Sequence, residues 1–119
     1  MLRHKEDWKS LVYMAITTGL LVAEWWLPFF NPYLFVGSMI MAVPVAVIAH
    51  NHNHVRFFKA KPLNVLVDYW ITLFYGFPAF AWIPTHNKNH HKHNNREGDH
   101  TRTWRYTERN NLLTMLTYP

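Results

Sequence analysis

Long apolar runs alternate with short polar clusters along this chain. After a polar head (1–10), one apolar run extends from about Leu11 to Phe30 and a second from Tyr33 to Ala49, with Asn31-Pro32 between them. At ~1.5 Å per residue the first makes a helix about 30 Å long, the thickness of a bilayer's hydrocarbon core. The second is somewhat short for a span, and Pro44 inside it is expected to kink it. Glu24 is the only ionisable side chain other than tyrosine between Leu11 and Ala49, and it directly precedes Trp25-Trp26. That position puts the carboxylate near the far interface, within reach of headgroups. The first run is too long for a signal-peptide core, and no small-x-small cleavage site follows it.

A third apolar stretch, Leu63 to Ile83, carries Asn64, Asp68 and Thr72 at i, i+4 and i+8, a narrow polar stripe along one helical face. Gly76 and Pro78 break it before its end. Two spans return the chain to the side where it began, so Arg3, Lys5 and Lys9 share a side with Arg56, Lys59 and Lys61. The positive-inside rule makes that side cytoplasmic. A third crossing would carry Lys88, Lys92, Arg96, Arg102 and Arg105 to the opposite side, against the same rule. The expected fold is therefore an all-α integral membrane protein. It has two transmembrane helices (about 11–30 and 33–49) and an amphipathic in-plane or re-entrant helix (about 63–83). Residues 112–119 (LLTMLTYP) resume an apolar pattern like the first turns of another membrane helix. Residues 1–119 are accordingly expected to be the N-terminal part of a single domain, cut before a third span.

Composition sharpens this picture. The mean hydropathy of −0.17 is that of a soluble protein, but it averages over strongly partitioned segments. Aromatics make up 17% of the residues, and Trp25, Trp26, Trp70, Trp82 and Trp104 fall near apolar–polar borders, where amphipathic rings settle in membranes. The net charge of +5 flanks apolar segments instead of forming one basic stripe, which argues against nucleic acid as a partner. With no cysteine in 119 residues, a disulfide scaffold is excluded.

Two histidine clusters begin where apolar runs stop: His50-Asn51-His52-Asn53-His54, and His86-Asn87-Lys88-Asn89-His90-His91 followed by His93. Imidazole is a good ligand for iron, copper, nickel and zinc. On an α-helix His50 and His54 are i, i+4 and share a face, while His52 points away, and His86 and His90 repeat the spacing. His91 lies off that face and His93 returns close to it, so spacing alone does not choose between them. Asn51, Asn53, Asn87 and Asn89 are placed to accept or steer the outer ring N–H of a ligating histidine. Such ligands at the water-facing edge of a bilayer suit chemistry on a membrane-dissolved substrate.

An HxxxH box ending the second span (His50, His54) and an HxxxHH box after an amphipathic stretch (His86, His90, His91) resemble the membrane fatty acid desaturase and hydroxylase superfamily. The text FYGFPAFAWIPTHNKNHHKHNNREGDHTRTWRY is similar to its bacterial fatty acid desaturase-like branch, and the resemblance covers nearly the whole chain. It implies a di-iron centre ligated by His50, His54, His86, His90 and His91, with His52 and His93 as further candidates. It also implies O2 as co-substrate, a membrane lipid or acyl chain as substrate, and electrons from a ferredoxin or cytochrome b5-type carrier. The expected location is a bacterial inner membrane with both boxes cytoplasmic. The family's third box, HxxHH, is not in this sequence: His100 is isolated and His4 lies in the head. The chain therefore supplies only part of the implied ligand set, and alone it is expected to be inactive.

A hydroxylase or alkane-type monooxygenase would carry the same boxes, because the outcome depends on how the substrate is placed. A non-catalytic membrane metal-binding protein is the reading from a different class. Ion transport would call for ionisable residues within the spans, and the first two offer only Glu24.

Overall fold

Asn31 and Pro32 separate the first two helices of the computed structural model, which describes residues 1–109 and 111–117. Tyr118 and Pro119, the end of the apolar 112–119 segment, lie outside the described residues, as does Asn110. Asn31 Oδ1 accepts from the backbone N–H of Tyr33 (3.0 Å) and Leu34 (3.2 Å), and Pro32 takes the first helical position, where no N–H is needed. Helix α1 (Trp8–Trp26) ends before this cap and helix α2 (Pro32–His54) begins at it. The Glu24 carboxylate folds over the turn, where its Oε1 accepts from Asn31 N–H at 3.0 Å. It thus clamps the connection from within.

Three of the expected boundaries move, each for a local reason. The first helix covers Trp8–Trp26 rather than about 11–30, because Leu27 turns extended (ψ 137°) just before Pro28. Helix α2 runs through Pro44 and past Ala49 to His54, because nothing stops it before Val55 turns extended (φ −136°). The first histidine cluster is therefore its last turns. Helix α3 (Lys61–Tyr75) ends well short of Ile83. Gly76 adopts a left-handed φ of 74°, and Pro78 prevents the helix from resuming at once.

Backbone contacts divide the described chain into two compact units, Met1–Ala79 and Phe80–Pro119. In the first, α1 packs along α2 and α2 along α3, around a small core of Ile48, Ala49, Phe57, Val67, Ile71 and Ala79. The N-terminal segment joins this core through an isolated antiparallel bridge between Leu2 and Phe58, with Arg3 N–H donating to Phe57 O at 2.7 Å. No β-strand occurs among the described residues.

The polar stripe of α3 faces inward. Asn64 Oδ1 accepts from Phe58 N–H at 2.9 Å, and its Nδ2 donates to Phe58 O at 2.9 Å. Asp68 pairs with Arg56, and the Thr72 hydroxyl accepts from Ala79 N–H at 3.1 Å. The outer face carries Leu66, Tyr69 and Leu73, the last 73% exposed. Helix α2 likewise exposes Met39, Ile40 and Val43, and α1 exposes Ile16, Leu21 and Val22. A fold that buries amides and carboxylates while exposing contiguous aliphatic faces suits lipid as its solvent. Among the described residues, α2 is long and apolar enough to cross a bilayer. The architecture is all-helical with at least one candidate span.

The second unit continues helically from α4 (Ala79–Trp82) into a π-helix (Ile83–His90) and the short α5 (His91–His93). Its first turn explains the widening. Pro84 has no N–H for the carbonyl four residues back, and Thr85 Oγ1 donates to Ala81 O at 2.7 Å, competing for the carbonyl an α-helical N–H would use. A loop follows, and helix α6 (Leu112–Leu116) is capped by Asn111, whose Oδ1 accepts from Thr114 N–H at 2.9 Å.

Candidate metal centre

The last turns of α2 sort the first histidine cluster onto two sides. His50 and His54 are exposed and their rings meet with centroids 4.6 Å apart, as i, i+4 spacing on an α-helix requires. Nitrogens sharing a metal at about 2 Å each lie roughly 3 Å apart, so these rings can grip one ion with small side-chain rotations. His52 is turned inward and fully buried, edge-on to Phe57 at 4.6 Å. Its Nδ1 accepts from Phe57 N–H at 3.4 Å, so Nε2 carries the hydrogen and faces Asp68 Oδ1 at 3.5 Å. Nε2 makes no hydrogen bond there, but with Nδ1 accepting and Nε2 carrying the hydrogen the buried ring turns no lone pair toward His50 and His54.

In the second cluster the π-helix decides the geometry. A π-helix bonds each N–H to the carbonyl five residues back, which brings residue i+5 over residue i. His91 thereby joins His86 and His90 on one side. The His86 ring stacks on His90 at 5.2 Å (15° between planes) and meets His91 edge-on at 4.9 Å. His93 is drawn elsewhere: its ring covers Gly98, where an added Cβ would lie 3.0 Å from His93 Nδ1. Between the alternatives that spacing left open, the fold groups His91 and not His93 with His86 and His90.

A carboxylate that the sequence reading did not single out completes this cluster. Asp99 is 4% exposed, and its Oδ2 lies 2.7 Å from His90 Nδ1. The same Oδ2 accepts from Asn95 N–H at 2.8 Å, while Oδ1 accepts from the Thr101 N–H and hydroxyl, both at 2.9 Å. Burial pushes the Asp99 carboxyl up, but the donors from Thr101, Asn95 and His90 outweigh it and hold the group well below the usual carboxylate range. An ionised Asp99 accepts Nδ1–H from His90, which leaves Nε2 as the lone-pair nitrogen. A neutral imidazole with its outer N–H fixed on a carboxylate is the form that binds divalent metals, so these residues fit a histidine-ligated ion. The one sequence signal for Asp99 was an acid just after Gly98 in a polar, turn-rich stretch.

Two of the asparagines between the histidines tie down backbone carbonyls. Asn53 Nδ2 donates to Ala49 O at 2.7 Å, inside the helix. Asn89 pins the loop, with Nδ2 donating to Gly98 O (2.9 Å) and Oδ1 accepting from His100 N–H (2.7 Å). Asn51 accepts through its backbone carbonyl from Val55 N–H at 2.8 Å. Asn87, half-buried, follows His86 in the π-helix.

Arg102 lies over Trp104 (4.9 Å) and Arg105 over Tyr106 (5.6 Å), cation–π pairs of the kind found where basic and aromatic residues collect at membrane borders. Searches of curated proteins and of solved structures found no match. The family model for fatty acid desaturase matches residues 24–118, a span that takes in both histidine clusters and Asp99. With most of its length matched, the chain belongs to the fatty acid desaturase family.

Proposed function

We propose that this membrane protein contributes to a histidine-ligated di-iron oxidase acting on lipid acyl chains, with His50, His54, His86, His90 and His91 as ligands. The observation that carries the proposal is the second cluster, where three imidazoles converge and one is oriented by a buried carboxylate. When bound, the iron pair would supply the reduction of O2 that draws hydrogen from an unactivated methylene pair. The net reaction is R–CH2–CH2–R′ + O2 + 2 electrons + 2 H+ → R–CH=CH–R′ + 2 H2O. A ferredoxin or cytochrome b5-type carrier supplies the electrons.

The chain's own residues hold and shield the site. Nδ1–H donation to Asp99 keeps the lone pair of His90 on Nε2, and the aliphatic outer faces of α1, α2 and α3 keep the unit in lipid, where the substrate is dissolved. Arg3, Lys5, Lys9, Arg56, Lys59 and Lys61 favour a cytoplasmic placement of the first cluster, the side on which soluble electron carriers are found.

His90→Ala, expressed in membranes, is expected to lose most bound iron and O2-dependent acyl oxidation. Iron content by elemental analysis and acyl unsaturation by gas chromatography check the two losses. Full iron content in His90→Ala would refute the ligand assignment. Tight iron binding with no O2 consumption under a reducing carrier would instead support a metal-binding protein without oxidase activity.

A further inference from the structure

Two carboxylate–histidine contacts among the described residues are built oppositely. Asp68 Oδ1 lies 3.5 Å from Nε2 of His52 without a hydrogen bond and pairs with Arg56, while His52 Nδ1 accepts from Phe57 N–H, so this imidazole is turned into the fold. Asp99 holds Nδ1 of His90 and leaves the other nitrogen outside the pair, in a ring that stacks on His86. The chain around Asp99 is shaped to deliver it there. Asn94 and Asn95 take left-handed φ values of 48° and 64°, and Gly98 one of 91°, which folds the loop back over the π-helix within a few residues. Asn94 N–H donates to His90 O at 2.6 Å, Asn89 ties down both Gly98 and His100, and Trp104 Nε1 donates to Asn95 O at 2.8 Å. The Asn95 side chain is held in turn by Thr103, whose N–H donates to its Oδ1 at 2.7 Å.

We infer that Asp99 is a positioning residue of the metal centre: it fixes the Nδ1–H tautomer and the ring orientation of His90, so that Nε2 is presented to the metal before the metal arrives. This rests on the reading of His90 as a ligand. The alternative is that Asp99 only organises its loop, with His90 as an incidental donor. The two differ in what happens when the carboxylate becomes an amide. An asparagine at position 99 cannot accept on both sides. If its oxygen stays with Thr101, its Nδ2–H faces His90 Nδ1, which must then accept, and the imidazole hydrogen moves to Nε2. That tautomer has no lone pair where the metal would bind.

The test uses the full chain in detergent micelles, with nitrogen-15 imidazole NMR at a pH where histidines are neutral and the His90 signals assigned through His90→Gln. In the metal-free wild type His90 is expected as the Nδ1–H tautomer; an Nε2–H tautomer there overturns the inference, and this needs no variant to fold. Asp99→Asn is expected to shift His90 toward Nε2–H and to weaken Co(II) binding, read from its absorption spectrum, by roughly 10- to 100-fold. Unchanged Co(II) affinity in Asp99→Asn overturns the positioning role while leaving the ligand assignment standing. Unchanged Co(II) affinity in His90→Ala would do the reverse, sinking the ligand reading whatever tautomer His90 adopts.

Discussion

Replacing Asn64 by leucine should loosen the first unit at a definable point. The bridge between Leu2 and Phe58 uses Phe57 O and Lys59 N–H, which bond Arg3 N–H (2.7 Å) and Met1 O (3.3 Å). Phe58's own N–H and carbonyl point the other way, and both are met by the Asn64 amide at 2.9 Å. A third bond, Nδ2 to Ala60 O at 3.2 Å, stays within the first turn of α3, where that carbonyl also faces the helix's own N–H, and counts for little. Leucine keeps a similar volume but leaves the Phe58 pair unmet. At about 1 kcal/mol for each hydrogen bond lost, the expected loss is about 2 kcal/mol. Phe58 is half-buried, so water can reach part of this site and the figure does not rise toward the full penalty of two buried orphans. For a chain of this size, roughly 4 °C per kcal/mol gives a fall in Tm of about 8 °C. Circular dichroism melts in detergent measure it. A leucine variant melting within about 1 °C of wild type would refute the hydrogen-bond argument.

Two further outcomes separate structural from ligating roles. His52→Ala should cost about 2–3 kcal/mol of stability through a cavity against Phe57 and lost partners, with Co(II) affinity unchanged. His54→Ala should show the opposite pattern, weaker Co(II) binding with a nearly unchanged melt, and equal loss of affinity in both variants would contradict the inward placement of His52. Gly98→Ala should destabilise the second unit by about 1–3 kcal/mol, because φ is strained for a side chain and the new methyl would press on the His93 ring. Thermal melts and the His93 imidazole resonances report it, and an unshifted His93 signal would count against that contact.

How much of this was legible in the sequence depends on whether a feature is periodic or looped. The i, i+4 spacing of His50 and His54 was readable because α2 is a regular α-helix to its end. The polar stripe of Asn64, Asp68 and Thr72 was readable for the same reason, but not its direction. That follows from Phe58, Arg56 and Ala79, which reach the stripe through turns that periodicity does not describe. The helical limits at Tyr75 and His54 turned on single residues, the left-handed Gly76 and the extended Val55. Asp99 was out of reach, since it meets His90 only through a loop with three positive φ values among Asn94, Asn95 and Gly98. The choice between His91 and His93 was equally closed, because spacing rules assumed an α-helix and Pro84 with Thr85 produce a wider one.

That wider helix has a consequence for how histidine boxes are counted. On an α-helix, residues three and four along flank the starting residue, one just short of a full turn and one just past it. On a π-helix the same two flanking places fall four and five along. An HxxxHH segment wound as π and an HxxHH segment wound as α therefore offer a metal the same three-pronged grip. The extra letter in His86-Asn87-Lys88-Asn89-His90-His91 is absorbed by the backbone, so two boxes that look different as text can be one device in space.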